Sequence, residues 1–320
     1  MSINHITLPH GNNPLKLAAL KSKSYNSYNQ RLKAFLLFTN ITLTQLEQLS
    51  HTQVDQLFNH YLLHQYTIQG SYHYARLAFS GLKFHIPRLN GHLPDSAQSL
   101  KGWKNLLKIR SHPPLTWELV VLFSCTALRS GYYSEAVAML LAFHCYLRIS
   151  ELRSLRYKDI ARFNDPRLGS AFQQMALRLP YTKTGKNQWV SIENPVIAKI
   201  LHQYLTRHPF RSKQKIFQFS ASRYRCLLFS IKSSFGLSHI PYVPHSFRHG
   251  GATSDFARGK SIEYIMFRGR WKHMESARNY VQQGKALYLK AKIPKKLNDD
   301  GFLFGLHLER IFTDKLKQLD

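Results

Sequence analysis

The stretch "PHSFRHGGATSDFARG", residues 244–259, sets a histidine and an arginine three apart, behind a proline and ahead of two glycines. Proline suits the first turn of a helix, and Gly250, Gly251 and Gly259 permit close approach and a stop, so the segment reads as a short helix. His245 and Arg248 then share one face. A buried helix would rather present leucine there. The pair suits an anion instead, because backbone N–H groups at a helix start attract phosphate and a guanidinium fork grips two oxygens. The ordinary alternative is a capping or core histidine beside a surface ion-pair arginine, and the tetrapeptide alone favours that alternative.

Its flanks add to the case. Downstream, "SIEYIMFRGRWKHMESARNYVQQG" (261–284) opens at Ser261 as an N-cap and carries Ile262, Ile265 and Met266 as a core stripe. It breaks at Gly269 and restarts as a helix that holds Tyr280. Upstream, "LLAFHCYLRISELRSLRYKDI" (140–160) ends a nearly all-apolar helix in Arg148. A charge that close to a buried helix is costly unless it faces an anion, the alternative being a pair with Glu151. Between these lies "MALRLPYTKTGKNQWVSI" (175–192): Met175, Leu177, Leu179 and Tyr181 alternate, Gly185 turns the chain, and Trp189 and Ile192 resume, which predicts a β-hairpin.

Farther out, residues 15–110 place apolar groups three and four apart in "SYNSYNQRLKAFLLF", in 52–64 and in "SAQSLKGWKNLLKIR", predicting four or five helices and no strand. "RLNGHLPDSAQ" (88–98) interrupts them, and "RSHPPLTWELV" (110–120) reads as an interdomain linker. Residues 116–160 are helical again, and helices resume near 195. The expected organisation is a helical domain at 1–112, a second domain at 113–292 and a tail at 293–320. The tail's "GFLFGLHLERIFTDKLKQL" (301–319) is apolar at helical spacing with a charged opposite face.

The charge names the partner class. Forty-five Lys and Arg stand against 17 Asp and Glu, a formal +28, and so basic a surface calls for a polyanion, nucleic acid first. Residues 1–110 hold 12 basic and 3 acidic side chains, a net +9, and the remainder 33 and 14, a net +19, so this is not a basic tail on a neutral body. With 44% apolar residues the chain can bury a core. Three scattered cysteines lack C-x-x-C spacing and read as intracellular thiols. The most apolar run, 136–147, is too short for a bilayer span of about 20 residues, and no signal-peptide layout is expected at the start. His245 and His249 are four apart, but no third ligand accompanies them in the zinc manner, and "ARGKS" (257–261) lacks the first glycine of a phosphate-binding loop.

In order along the chain stand Arg148 in "LRISEL", Lys183 in "YTKTGK", His245 and Arg248 in "HSFRH", Trp271 in "GRW" and Tyr280 in "ARNYV". In these six positions the sequence resembles the tyrosine recombinases, or phage integrase family, over roughly 116–290, and loosely the family's helical core-binding domain before that. The run "FRHGGAT…IMFRGRW…SARNYVQQGKAL" resembles most the recombinases of eukaryotic, retrotransposon-like mobile elements. The resemblance implies a mainly α fold with a small antiparallel β-sheet (α+β), built as a two-domain DNA clamp. It implies cutting and rejoining of double-stranded DNA through a 3′-phosphotyrosine by a homo-tetramer on two duplexes, and a C-terminal segment that docks on a neighbour. Packing of that segment on its own domain is equally open.

In these roles Arg148 and Arg248 would clamp the nonbridging phosphate oxygens, because charge developing around five-coordinate phosphorus is met by preorganised cations. Tyr280, with a free phenol pKa of about 10, needs its proton removed to attack. Lys183 would protonate the departing 5′-oxygen, with Lys186 as the other candidate. His245 would bind the phosphate or move the tyrosine proton, and Trp271 would donate its indole N–H. No metal, cofactor or small-molecule substrate is expected, and no membrane. The location is intracellular, and nuclear for a eukaryotic mobile element. A type IB topoisomerase, relaxing supercoils as a monomer, and a noncatalytic helix-turn-helix binder built on 246–257 and 261–268 are the rivals.

Overall fold

The structure is a computed structural model that describes residues 14–20, 22–107, 112–163, 165, 174–182 and 185–318. The chain divides into two compact units, Met1–Arg110 and Ser111–Asp320.

In the first unit, the described residues form six α-helices and no strand: α1 (Pro14–Ala18), α2 (Ser22–Thr39), α3 (Leu43–Gln48), α4 (His51–Thr67), α5 (Tyr72–His85) and α6 (Pro94–Leu106). The five-residue α1 and the six-residue α3 each span fewer than two turns, too short to repeat the helical period, which is why the count exceeds the expected four or five. Leu32, Phe35 and Leu36 of α2 pack with Phe58 of α4 and Leu82 of α5 in one buried cluster. Two helix starts are closed by capping boxes: Thr42 with Gln45, and Ser50 with Gln53, exchange side-chain and backbone hydrogen bonds. The buried Asp55 carboxylate accepts from the backbone N–H groups of Asp95 and Ser96, both at 2.9 Å, and so anchors the start of α6 to α4.

The second unit is built around α7 (Trp117–Arg129) and α8 (Tyr133–His144), of which Glu135–Phe143 is buried throughout. A short α9 (Ile149–Leu152) follows. The strands β1 (Ile160–Ala161), β2 (Met175–Tyr181) and β3 (Lys186–Ile192) form one antiparallel sheet in that order, with Ile160 opposite Leu177 and Met175 opposite Ile192. The predicted hairpin is present. Its inner face is Met175, Leu177 and Leu179 with Val190 and Ile192. Trp189, paired with Arg178, is 52% exposed and Tyr181 is 72% exposed. Strand alternation explains Trp189, which is three residues from Ile192 and cannot face the same side, whereas Tyr181 shares the parity of the inner face and is exposed as the last residue of β2.

The remaining helices are α10 (Pro195–Arg207), α11 (Ala221–Ser234), α12 (Pro244–Ala257), α13 (Ile262–Gly269), α14 (Met274–Arg278), α15 (Gln283–Lys292), α16 (Lys295–Leu306) and α17 (Leu308–Lys317). The central contact for the site is α12 against α8. It is close enough that a Cβ on Gly251 would stand 2.1 Å from the Phe143 carbonyl oxygen. The C-terminal stripe Leu308, Phe312 and Leu316 is buried in the same core as α7 and α10. Lys199 of α10 meets Glu309 at 3.4 Å, and Arg207 donates to the Leu316 carbonyl at 2.8 Å. No described helix is long and apolar enough to cross a membrane.

Candidate active site

The buried α8 delivers its last residues to the site. After Cys145 the chain turns at Tyr146, whose φ of +48° lies in the left-handed region, and Arg148 caps the start of α9. The Tyr146 hydroxyl donates to Asp255 Oδ2 of α12, and its carbonyl oxygen is left facing the arginines.

α12 begins with Pro244 in its first turn, so His245 and Arg248 do project from one face. Arg248 is fully buried, yet it pairs with no carboxylate among the described residues: Nη1 donates to the Tyr146 carbonyl and Nη2 to the Gly269 carbonyl at 2.5 Å. Its guanidinium lies 4.2 Å from the Trp271 ring centroid and 5.3 Å from that of Tyr280. Trp271 folds back over Gly269, where any Cβ would strike its ring. The indole Nε1 of Trp271 is a buried donor with no acceptor among the described residues.

Tyr280 is not inside a helix, contrary to expectation. It lies in the turn between α14 and α15, because α14 ends at Arg278. Thr253 of α12 pins that turn: its hydroxyl donates to the Tyr280 carbonyl at 3.1 Å and accepts from the Gln282 N–H at 3.1 Å. The Tyr280 hydroxyl is 2.7 Å from His245 Nε2. The His249 ring stacks on Tyr280, with centroids 4.3 Å apart and planes 16° from parallel. Trp271 covers the ring as well, at 4.6 Å.

Arg148 forms the ion pair offered above as the ordinary alternative, Nη1 to Glu151 Oε1 at 2.5 Å, and its side chain stays partly exposed. Glu151 is nearly fully buried, and its other oxygen accepts from Arg270 Nη2 at 3.0 Å. Burial raises the Glu151 pKa, but Arg270 and Arg148 together outweigh it and hold the carboxyl below its ordinary value. Burial, then Arg148 and Arg270, lowers Arg248 to about 9. Burial, then Arg248, Arg148 and His112, lowers His245 to about 4, so the ring beside the Tyr280 hydroxyl is neutral at pH 7. Burial, then His245 and His112, takes His249 to about 3.

Five of the six expected residues thus stand together: Arg148, His245, Arg248, Trp271 and Tyr280. Lys183 lies outside the described residues. Lys186 opens β3 on an exposed position, beside a groove of about 550 Å³ shared with Arg153, Arg156 and Arg178. His245 and His249 have rings 5.3 Å apart, and no metal-binding group of three or more His, Cys, Asp or Glu occurs among the described residues.

The model of the phage integrase family matches residues 118–286, more than half of the chain. The chain belongs to the phage integrase family. No protein of curated function matches its sequence. Among solved structures, the Tn1549 transposon integrase in complex with circular intermediate DNA aligns at 16% identity and a TM-score of 0.57. That alignment covers 86% of this chain and 98% of its own. The same integrase with transposon right end DNA aligns at 13% identity and 0.53, over 85% and 95%. A XerA recombinase aligns at 16% identity and 0.42, over 87% and 94%. At such identities the transposon-integrase matches show the fold: mainly helical, with a small antiparallel sheet.

Three members of this phage integrase site were not singled out from sequence. In the sequence Glu151 stands out only as a partner for Arg148, and His249 only as a zinc-like histidine four residues from His245. Arg270 carried no signal at all, being one of 45 basic residues.

Proposed function

We propose that the protein is a site-specific DNA recombinase that breaks and rejoins strands through a phosphotyrosine on Tyr280. The observation that carries the reading is the 2.7 Å approach of the Tyr280 hydroxyl to a neutral His245, beside a buried arginine whose partners are two backbone carbonyls. With Nδ1 protonated, His245 Nε2 accepts the phenol proton as Tyr280 Oη attacks phosphorus. The P–O5′ bond breaks, and the departing 5′-oxygen takes a proton from Lys183 or Lys186. Arg148 and Arg248 meet the charge on the nonbridging oxygens, and the unpartnered Trp271 N–H adds a donor. The new ester stores the old one, so a second 5′-hydroxyl can reclaim the strand, and this chemistry requires neither ATP nor a metal ion.

Double-stranded DNA as partner is supported by the net +28 and by the DNA-bound state of the matched transposon integrase. The reading extends to integration of a retrotransposon-like mobile element in the nucleus, on the resemblance of 247–287 noted above. It also extends to a tetramer on two duplexes. Exposed Phe302, Leu303 and Leu306 on α16, each more than half accessible, support association between copies.

The test is a nicked suicide duplex. A covalent protein–DNA adduct should form with the native protein and vanish with Tyr280→Phe, while duplex binding persists. Cutting without an adduct, or an adduct that survives Tyr280→Phe, would end the proposal. Products that are relaxed but never exchanged would favour topoisomerase-like chemistry.

A further inference from the structure

We propose that Arg270 is a positioning residue of this site, a third arginine that neutralises Glu151 so that Arg148 and Arg248 keep their charge for the phosphate. The inference rests on the DNA-cleavage reading above. Arg270 follows Gly269 as the cap of α13, with φ of +58°, a backbone region that favours glycine. An arginine held there against that preference has its side chain turned inward, only 3% exposed. Nη1 donates to the carbonyls of Arg268 at 3.1 Å and Cys145 at 3.3 Å, and Nη2 to the carbonyl of Tyr146 at 3.0 Å and to Glu151 Oε2 at 3.0 Å.

These contacts link all three arginines. Glu151 binds Arg148 through one oxygen and Arg270 through the other. The Tyr146 carbonyl accepts from both Arg248 and Arg270. Three guanidinium groups and one carboxylate leave a net charge of two, which matches the roughly two negative charges of a five-coordinate phosphorus centre. Without Arg270, Glu151 would cancel Arg148 and the net would fall to one. Arg270 itself sits behind the carboxylate, so it acts through Glu151 and not on the DNA.

The experiment measures the first-order rate of adduct formation on the nicked duplex, together with duplex affinity, for four proteins: the native chain, Arg270→Gln, Arg270→Lys and the double variant Arg270→Gln/Glu151→Gln. Arg270→Gln should slow the adduct by about 100-fold, the scale of losing one preorganised charge, with affinity changed by less than about threefold. The double variant, which restores the net charge of two, should be at least about tenfold faster than Arg270→Gln. Arg270→Lys, which keeps the charge but not the fork, should fall between Arg270→Gln and the native rate. A merely structural arginine would slow the adduct only in proportion to the folded protein lost, because removing one partner of a buried pair strands a charge and removing both relieves it, so the rates are compared where denaturant unfolding shows every variant fully folded. Arg270→Gln within about threefold of native, or a double variant no faster than the single, overturns the proposal. Should Arg270→Gln fail to fold, Arg270→Lys decides: a loss of more than about 100-fold in a folded protein overturns it. A native protein that forms no Tyr280-dependent adduct would sink the cleavage reading instead.

Discussion

His245 shows how far a residue's surroundings outweigh its type. Burial disfavours the imidazolium first, and Arg248, Arg148 and His112 repel it further, against a smaller opposite pull from Glu151. The folded-state pKa is therefore depressed to about 4, and the neutral ring can accept the Tyr280 proton across the physiological range. An NMR titration of the free protein, with the His245 signal assigned by its loss in His245→Gln, should show this ring titrating near 4. A midpoint near the ordinary value of about 6.5 would show a solvated imidazole and remove the base. The sign for stability follows. A group whose folded pKa is depressed stabilises the fold above its unfolded value and loses that contribution as pH falls toward 4. At this scale the sequence was informative about residue types. His245, Arg248 and Tyr280 could be named because their spacing repeats a family pattern, whereas stacking by His249 depends on where a turn sets the Tyr280 ring.

At the scale of elements, the site depends on how closely α12 crosses α8. A methyl group on Gly251 would meet the Phe143 carbonyl at 2.1 Å and the Tyr146 ring at 2.8 Å, and neither backbone nor packed ring can retreat cheaply. Gly251→Ala should cost at least about 3 kcal/mol in denaturant unfolding, the upper range for overpacking, and should reduce adduct formation because the Tyr146 turn moves with it. A change below about 1 kcal/mol would show that the crossing can relax. Long elements with a strong pattern were legible: α8 from its unbroken apolar run, the hairpin from its alternation around Gly185. The two-residue β1 carries no period to read. Tyr280 was expected on a helix because Met274–Arg278 and Gln283–Lys292 look continuous by composition, and only Thr253, from a distant part of the chain, shows why the chain turns there.

For the whole molecule, the formal charge of +28 dominates and is spread over both units. If that charge contacts backbone phosphates, each contact releases counterions, and duplex affinity should fall by at least about a thousandfold between roughly 50 and 200 mM salt. A slope equivalent to one or two contacts would mean that the surface charge serves another polyanion. The same excess explains why Arg270 was invisible from sequence: among 45 basic residues none is conspicuous, and only the left-handed turn after Gly269 directs this one inward. Acidic residues are few, and buried ones such as Asp55 of α4, which faces the start of α6, and Glu151, between two arginines, are placed where N–H groups or cations await them.

Thr253 ties the turn that bears Tyr280 to the helix that bears His245 and Arg248, all within one polypeptide. Under the proposed chemistry, each copy therefore attacks with its own tyrosine and lends none to a neighbour. In an assembly mixing Tyr280→Phe subunits with Arg248→Lys subunits, neither defect would complement the other.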